Sequence, residues 1–253
     1  MHRYWLVTLI CSFINFSNVS GFLPPYIKVC PRKTPNMSNC IMNSIEAMRH
    51  IFVSGEFGPG YEAIPKFEPF YLPSIQVGDR NDFRANFTDI YVKGGSKFII
   101  EKLKTNMREL KFDALVKLPR LDIKSKYDLN FNLFGFRLKG QGDSHTIVDN
   151  SRGRLTIRAK KYCHEGEEYL NFEKFHIKIQ IGHIRKATLS NIFGGQLGAS
   201  SIFQEILNTL LRSQPEFVFS EIYPPIENDL SEIFTSIANR IAKTATYDEI
   251  FPV

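Results

Sequence analysis

The longest helical pattern of the chain lies near its end, between residues 224 and 244, where apolar residues recur at intervals of three and four. This spacing places them on one face of a helix. They are Ile226, Leu230, Ile233, Phe234, Ile237, Ala238, Ile241 and Ala242. The other face is polar and carries Glu227, Asp229, Glu232, Asn239, Arg240 and Lys243. A helix of this length runs about 30 Å, roughly the width of a small domain, so we expect a rod around which a sheet closes.

Between residues 70 and 190 the pattern changes to alternation of apolar and polar residues, which is typical of strands with one dry and one wet face. The strictest example contains Leu110, Phe112, Ala114, Val116 and Leu118. The connections are short, which predicts an antiparallel meander. Further helices are expected from Asn36 or Met37 to Gly55, and from Ser200 or Ser201 onwards. The fold class is therefore α+β, with a long C-terminal helix wrapped by a strongly curved antiparallel β-sheet.

The composition is that of an ordinary globular protein, with 43% hydrophobic and 23% charged residues among 253. The first 21 residues differ from the rest, because Arg3 precedes an apolar run over residues 4–16 and small residues follow at 19–21. This pattern predicts a secretory signal peptide, too short for a permanent membrane anchor. No linker or repeat divides the remainder, so residues 22–253 are expected to form a single, secreted domain.

Four cysteines are present, of which Cys11 belongs to the signal segment. Cys30 and Cys40 are the natural disulfide pair in an oxidising compartment, and so short a loop would contribute about 2–3 kcal/mol. Cys163 is left over, and we expect a free thiol, or alternatively a bond between chains. Sequons at Asn36 and Asn86 predict glycosylation in a secreted chain.

Charge and motifs give little support for nucleic-acid binding or for catalysis. The net charge is +6, and no basic cluster is longer than residues 158–161. The segment 94–98 lacks the second glycine of a Gly-x-Ser-x-Gly motif. Ser144 and His145 are sequence neighbours, which alone makes no triad. His164 and the glutamates after it fall in an expected hairpin turn rather than a metal motif. We therefore expect no enzyme, no cofactor and no metal.

A series of short motifs, in order along nearly the whole mature chain, resembles the insect takeout and haemolymph juvenile-hormone-binding proteins. The motifs are Tyr26-Ile27-Lys28-Val29-Cys30, Asn43-Ser44-Ile45-Glu46-Ala47-Met48-Arg49, Glu68-Pro69-Phe70, Val92-Lys93-Gly94-Gly95-Ser96-Lys97-Phe98, Leu118-Pro119-Arg120-Leu121, Gly140-Gln141-Gly142, Asn191-Ile192-Phe193-Gly194-Gly195 and Tyr247-Asp248-Glu249-Ile250-Phe251-Pro252. The resemblance implies a long helix wrapped in a curved sheet that encloses an apolar tunnel, and it places the chain in the wider group of tubular lipid-binding proteins. Cys163 as the one remaining cysteine favours the takeout branch over the hormone binders.

Inward apolar residues can fill a core or line a tunnel, and patterning alone leaves both readings open. The 22 phenylalanines are suited to shaping an apolar cavity. The candidate tunnel-lining residues are Phe112, Leu129, Phe131, Ile177, Ile179, Ile206, Leu210, Leu230, Phe234 and Ile237.

The resulting hypothesis is a secreted, monomeric carrier of a small hydrophobic ligand, such as a terpenoid, a fatty acid or a similar lipid. The resemblance also suggests roles in clock-linked feeding physiology or chemosensation. The alternative is a protein that engages membranes or microbial lipids, for which an exposed basic patch is expected. A hydrolase is the third hypothesis.

Overall fold

The computed structural model describes residues 27–58, 61–78, 81–133, 136–191 and 199–253. Within these ranges the helices are α1 (Met37–Ala47), α2 (Arg49–Ser54), α3 (Ala199–Ser213), α4 (Pro215–Phe217), α5 (Tyr223–Ala242) and α6 (Tyr247–Ile250). The strands are β1 (Phe70–Val77), β2 (Phe83–Lys93), β3 (Ile99–Asn106), β4 (Lys111–Leu133), β5 (Phe136–His164), β6 (Glu167–Phe172), β7 (His176–Gln180) and β8 (His183–Leu189). A π-helical turn (Val218–Ile222) joins α4 to α5. The expected signal peptide, residues 1–21, lies outside the described residues.

The sheet is built on the long hairpin of β4 and β5, whose pairing runs from Lys111 opposite Arg158 to Leu133 opposite Phe136. The strands β3 and β2 pair with successive parts of β4, and β1 follows beyond β2. The strands β6, β7 and β8 pair with successive parts of β5. The expected α+β class and antiparallel sheet are confirmed. The simple meander is wrong, because β2 and β3 share one long neighbour.

The alternation along the hairpin changes phase near its middle. Phe112 and Ala114 are buried in the first half of β4, whereas Tyr127 and Leu129 are buried in the second half, so even-numbered residues give way to odd-numbered ones. The pairing of β4 with β5 keeps one register across this point. Both strands therefore change phase together, and Asn150 of β5 adopts a positive φ of 57° there. A coordinated twist of this kind adds to the curl of the sheet.

Asp149 lies at the phase change and is held by two arginines. Its side chain is only 11% exposed. Arg120 Nε donates to one carboxylate oxygen at 2.8 Å, and Arg185 Nε donates to the other at 2.6 Å. The hydrogen bond from Arg120, followed by that from Arg185, holds the pKa of Asp149 below its ordinary range. These contacts join β4, β5 and β8 on the outer face of the sheet.

Replacing Asp149 by asparagine should destabilise the protein most at neutral pH. A carboxyl whose pKa is lowered by folding stabilises the fold above its unfolded value of about 4, and this contribution is lost as the pH falls towards the folded value. Chemical unfolding of the wild type and Asp149→Asn from pH 7 to pH 3 should therefore show a difference that shrinks below about pH 4. Asp128→Asn, which removes an exposed carboxylate 3.6 Å from Arg84, is the control. A pH-independent effect of Asp149→Asn would contradict the electrostatic explanation.

Cys30 and Cys40 form the expected disulfide, with their Cα atoms 5.8 Å apart. The bond ties the segment before α1 to that helix, and the Cys30 N–H also donates to the carbonyl of Ile250 at 3.0 Å. The two ends of the described chain are thus fastened together. Cys163 lies in β5 and is disulfide-bonded as well, and no described cysteine is free. The structure thus differs from the expectation of a free thiol at Cys163, which applies to the chain that remains after residues 1–21 are removed.

Candidate ligand-binding interior

The helix α5 lies across the concave side of the sheet. It contacts β6 and β7 near one edge and β1 at the opposite edge. One helix can touch both edges only if the sheet curls around it. The helix α3 covers β8 beside it, and the sheet and these two helices therefore surround a common interior.

Polar side chains of α5, separated by multiples of four residues, seal the sheet edge formed by β6 and β7. Each accepts a hydrogen bond from a backbone N–H group on or beside these strands. The pairs are Tyr223 with Ile181 (3.2 Å), Glu227 with Ile179 (2.9 Å), Thr235 with Phe175 (2.9 Å) and Asn239 with Phe172 (2.7 Å). Unpaired N–H groups on a buried edge are costly, so α5 takes the place of a neighbouring strand. From the sequence alone, Glu227 and Asn239 were expected only to lie on the polar face of the helix. The four-residue spacing of the polar side chains is the feature that could have predicted their contact with a strand edge.

Asn239→Ala should lower the free energy of unfolding by about 2 kcal/mol. The Asn239 side chain also donates to the Phe172 carbonyl at 3.0 Å, so the substitution leaves two backbone groups of one residue without a partner. Asn228→Ala in the same helix is the matched control, since Asn228 is exposed and contacts Lys174 and Glu232; a change within about 0.5 kcal/mol is expected there. Equal losses in urea unfolding would show that Asn239 does not seal the edge.

The apolar residues that face the interior are not all buried to the same extent. Tyr127, Leu129 and Phe131 are buried towards one end of β4, and Phe112 and Ala114 are buried towards the other. Other apolar residues that face the interior are only partly buried; they lie between these two groups on β4, or opposite β4 on other elements. These are Val116, Leu118, Leu121 and Ile123 of β4, Leu155 and Ile157 of β5, Ile179 of β7, and Ile226, Leu230, Ile233 and Phe234 of α5. Facing side chains of a close-packed core would bury almost completely.

Space is also available at Gly153 of β5, which lies between Val116 and Ile179 in the ladder. A Cβ atom added at Gly153 would have Leu155 Cδ1 as its nearest neighbour, at an ordinary contact distance of 3.7 Å. The middle row of the inner face thus consists of a valine, a glycine and an isoleucine that all remain partly exposed.

The candidate tunnel-lining residues fall into three places. Leu129, Phe131, Ile206, Leu210 and Leu230 belong to one apolar cluster beneath α3 and α5. Phe234 and Ile237 belong to a second cluster that includes Phe52 of α2. The others, Phe112, Ile177 and Ile179, lie further along the sheet on β4 and β7. Of all ten, Ile179, Leu230 and Phe234 are partly exposed and the rest are buried. Their contact with a ligand stays a prediction.

The residues considered for catalysis are engaged in local contacts. Ser144 Oγ lies 2.6 Å from Ser125 Oγ, whereas His145, on the opposite face of β5, lies 3.0 Å from Asp122 through its Nε2 atom. Ser96 donates to the Glu68 carboxylate at 2.8 Å. Within the described ranges, no group of three or more His, Cys, Asp or Glu side chains is arranged to hold a metal ion.

The two sequons occupy different environments. Asn36 is exposed and caps α1, where its Oδ1 atom accepts from the Asn39 N–H at 3.1 Å; a glycan on Nδ2 would leave this bond intact. Asn86 lies within β2 and is partly buried. Glycosylation at both positions remains a prediction. None of the described helices has both the length and the apolar character needed to cross a bilayer.

A curled antiparallel sheet closed by a long helix over an apolar interior defines the architectural class of the protein. Takeout 1 from Epiphyas postvittana shares this fold, with a TM-score of 0.72 and 17% sequence identity over 90% of this chain and 100% of that one. The family model for the haemolymph juvenile hormone binding protein matches residues 6–252. The chain belongs to this family, which confirms the resemblance found in its motifs.

Curated relatives include the circadian clock-controlled protein daywake from two fruit flies. The Drosophila melanogaster protein is 24% identical over 147 residues, and the Drosophila yakuba protein is 25% identical over 148 residues. Each match covers 57% of this chain and 54% of the relative. The chain thus spans about half the length of the curated relatives it matches.

Proposed function

We propose that the protein is a secreted, monomeric carrier that encloses a small hydrophobic ligand, such as a terpenoid, a fatty acid or a similar lipid. In this proposal residues 1–21 are removed on secretion and residues 22–253 act as one domain. The observation that carries it is the partly exposed apolar surface in the middle of an otherwise buried interior. Membership of a family described by hormone binding in haemolymph supports it further.

The energetics require no charged anchor. Burial of one CH₂ group contributes about 0.8 kcal/mol, so a chain of about fifteen carbons contributes about 12 kcal/mol. Association and ordering cost about 4–15 kcal/mol. At the lower end of that cost the net gain is about 8 kcal/mol, so about micromolar affinity is attainable by enclosure alone, with no bond made or broken.

Native mass spectrometry of the purified secreted protein tests the proposal. One lipid-sized molecule per chain, released by solvent extraction, is the expected result. Protein that carries no such molecule, and that also fails to take up both an added fluorescent fatty acid and a neutral apolar fluorescent probe, would contradict it. The same spectra report the mass of the mature chain, its glycans and its oligomeric state.

A second candidate function, attraction to anionic membranes, is favoured by the outer face of the sheet. Lys102, Arg154 and Arg158 are exposed there and form no ion pair within the described ranges. Lys102 and Arg154 flank Leu115 on neighbouring strands. The acidic residues nearby include Glu101, which pairs with Arg152, and Asp113, which pairs with Lys111. Glu173 pairs with Lys160 and also interacts electrostatically with Arg158.

Vesicle sedimentation tests this second function. Binding to phosphatidylserine-containing vesicles that disappears in high salt, and that is lost in Arg154→Glu/Arg158→Glu, would support it. Equal binding to neutral vesicles, or none at low salt, would exclude it.

A further inference from the structure

Two serines face each other on the inner side of the central hairpin. Ser125 of β4 is paired directly with Ser144 of β5, and their Oγ atoms are 2.6 Å apart. Both residues are buried, with 8% and 7% of their surface exposed. Their neighbours at the next inward positions, Ile123 and Thr146, are partly exposed. The pair therefore borders the accessible part of the interior.

Only one of the two hydroxyl hydrogen atoms of this pair takes part in the hydrogen bond between the serines. Two hydroxyls have two O–H donors, and the bond between them consumes only one. Neither hydroxyl makes another hydrogen bond with the described residues. By contrast, the buried Ser96 donates to Glu68 and the buried Ser231 donates to the Glu227 carbonyl at 2.6 Å. Among the described residues nothing accepts the second O–H, so one donor of the pair is available to an acceptor that enters the interior, and a buried donor without a partner is unfavourable.

The side chains around the two serines indicate whether a charged or a neutral acceptor fits there. The inward positions of β4 are apolar apart from Ser125 and Tyr127, and the Tyr127 hydroxyl is engaged because it donates to the Ser190 carbonyl. An ionised carboxylate in such a place would need a cation beside it. A neutral oxygen needs only the hydroxyl.

We propose that Ser125 and Ser144 form a polar anchor for a neutral oxygen atom of the ligand. This inference rests on the carrier function proposed above and narrows the ligand class to an apolar chain that bears an ester, ketone, epoxide or alcohol oxygen. A pure hydrocarbon leaves the donor unpaired, and an ionised fatty acid places its charge in an apolar site. The anchor adds orientation to an interior that otherwise holds its ligand by burial.

Competitive displacement of the neutral fluorescent probe N-phenyl-1-naphthylamine tests the anchor, with a methyl ester and an alkane of equal chain length as competitors. The wild type should prefer the ester by about three- to tenfold, the usual worth of one neutral hydrogen bond. Ser125→Ala/Ser144→Ala should lose this preference while its affinity for the alkane stays unchanged. Each single variant should keep the preference, because the remaining serine still has its O–H group.

Two matched control variants test whether the ester preference depends on this pair of serines. Ser231→Ala removes a buried hydroxyl whose donor is already used, and it should keep the ester preference. Ser151→Ala removes another buried serine of β5, whose Oγ accepts from the Gly182 N–H at 3.2 Å and whose O–H has no acceptor among the described residues. This variant tests whether that hydroxyl rather than the pair is the anchor, and it should also keep the ester preference. Loss of the preference in Ser151→Ala would place the anchor elsewhere and overturn the inference.

The remaining outcomes separate the two proposals. Displacement by both competitors with no ester preference in the wild type, or with a preference that survives in the double variant, overturns the anchor but leaves the carrier. Failure of the wild type to bind the probe and both competitors overturns both. Circular dichroism and urea unfolding establish that each variant is folded.

Discussion

Phe131→Ala is expected to lower the free energy of unfolding by about 3–5 kcal/mol, the usual cost of removing a fully buried phenylalanine. Phe131 is 4% exposed and lies in an aromatic cluster at one end of the interior. Its ring centroid is 5.7 Å from that of Phe83 and 6.2 Å from that of Phe217, and the last two are 4.9 Å apart. The edge-to-face contacts among these rings add to the burial. The cluster joins β2 and β4 to α4, so its loss would loosen the start of α5 as well.

Phe219→Ala is the matched control for this prediction. Phe219 lies two residues after Phe217, is 64% exposed, and makes one aromatic contact, with Tyr223, in the described structure. Its truncation should cost less than about 1 kcal/mol. Urea unfolding followed by circular dichroism measures both variants. A loss below about 1.5 kcal/mol for Phe131→Ala would show that this end of the interior is not closely packed.

The strands and the long helix could be predicted from the sequence because their periods follow from local geometry. The pleat of a strand sends alternate side chains to opposite faces, so Phe131 and Val116 were both correctly expected to point inward. Alternation could not show that Phe131 is closely packed while Val116 keeps accessible surface. That difference depends on how far the sheet curls and on which helix covers each position, and both are set by distant parts of the chain.

Polar residues were harder to interpret than apolar ones. Amphipathicity assigns Glu227 and Asn239 to water, yet both bind the backbone of a strand edge. In the sequence, Ser144 is noticeable only because a histidine follows it, whereas its hydrogen-bond partner Ser125 is nineteen residues away. Hydrogen-bond partners across a sheet follow from register, and register is fixed by turns and bulges that a single sequence specifies weakly.

Val116→Phe should reduce ligand affinity at least tenfold, and it decides whether the middle of the interior is hollow or filled. Val116 lies opposite Gly153, where the inner face has room for additional atoms. A phenyl ring there would occupy the space that we propose for the ligand and would displace several buried methylene groups of it, each worth about 0.8 kcal/mol. Uptake of the fluorescent probe by wild type and variant measures the loss.

The stability of the ligand-free protein gives the second half of the test. In a filled core, the larger side chain would cost about 1–3 kcal/mol through overpacking. In a hollow interior the ring finds space, and the free energy of unfolding should change by less than about 1 kcal/mol. Leu115→Phe is the matched control, because Leu115 is the adjacent residue on the outer face, between Lys102 and Arg154, and it should leave probe uptake unchanged. A destabilised Val116→Phe variant that still binds the probe normally would place the ligand elsewhere.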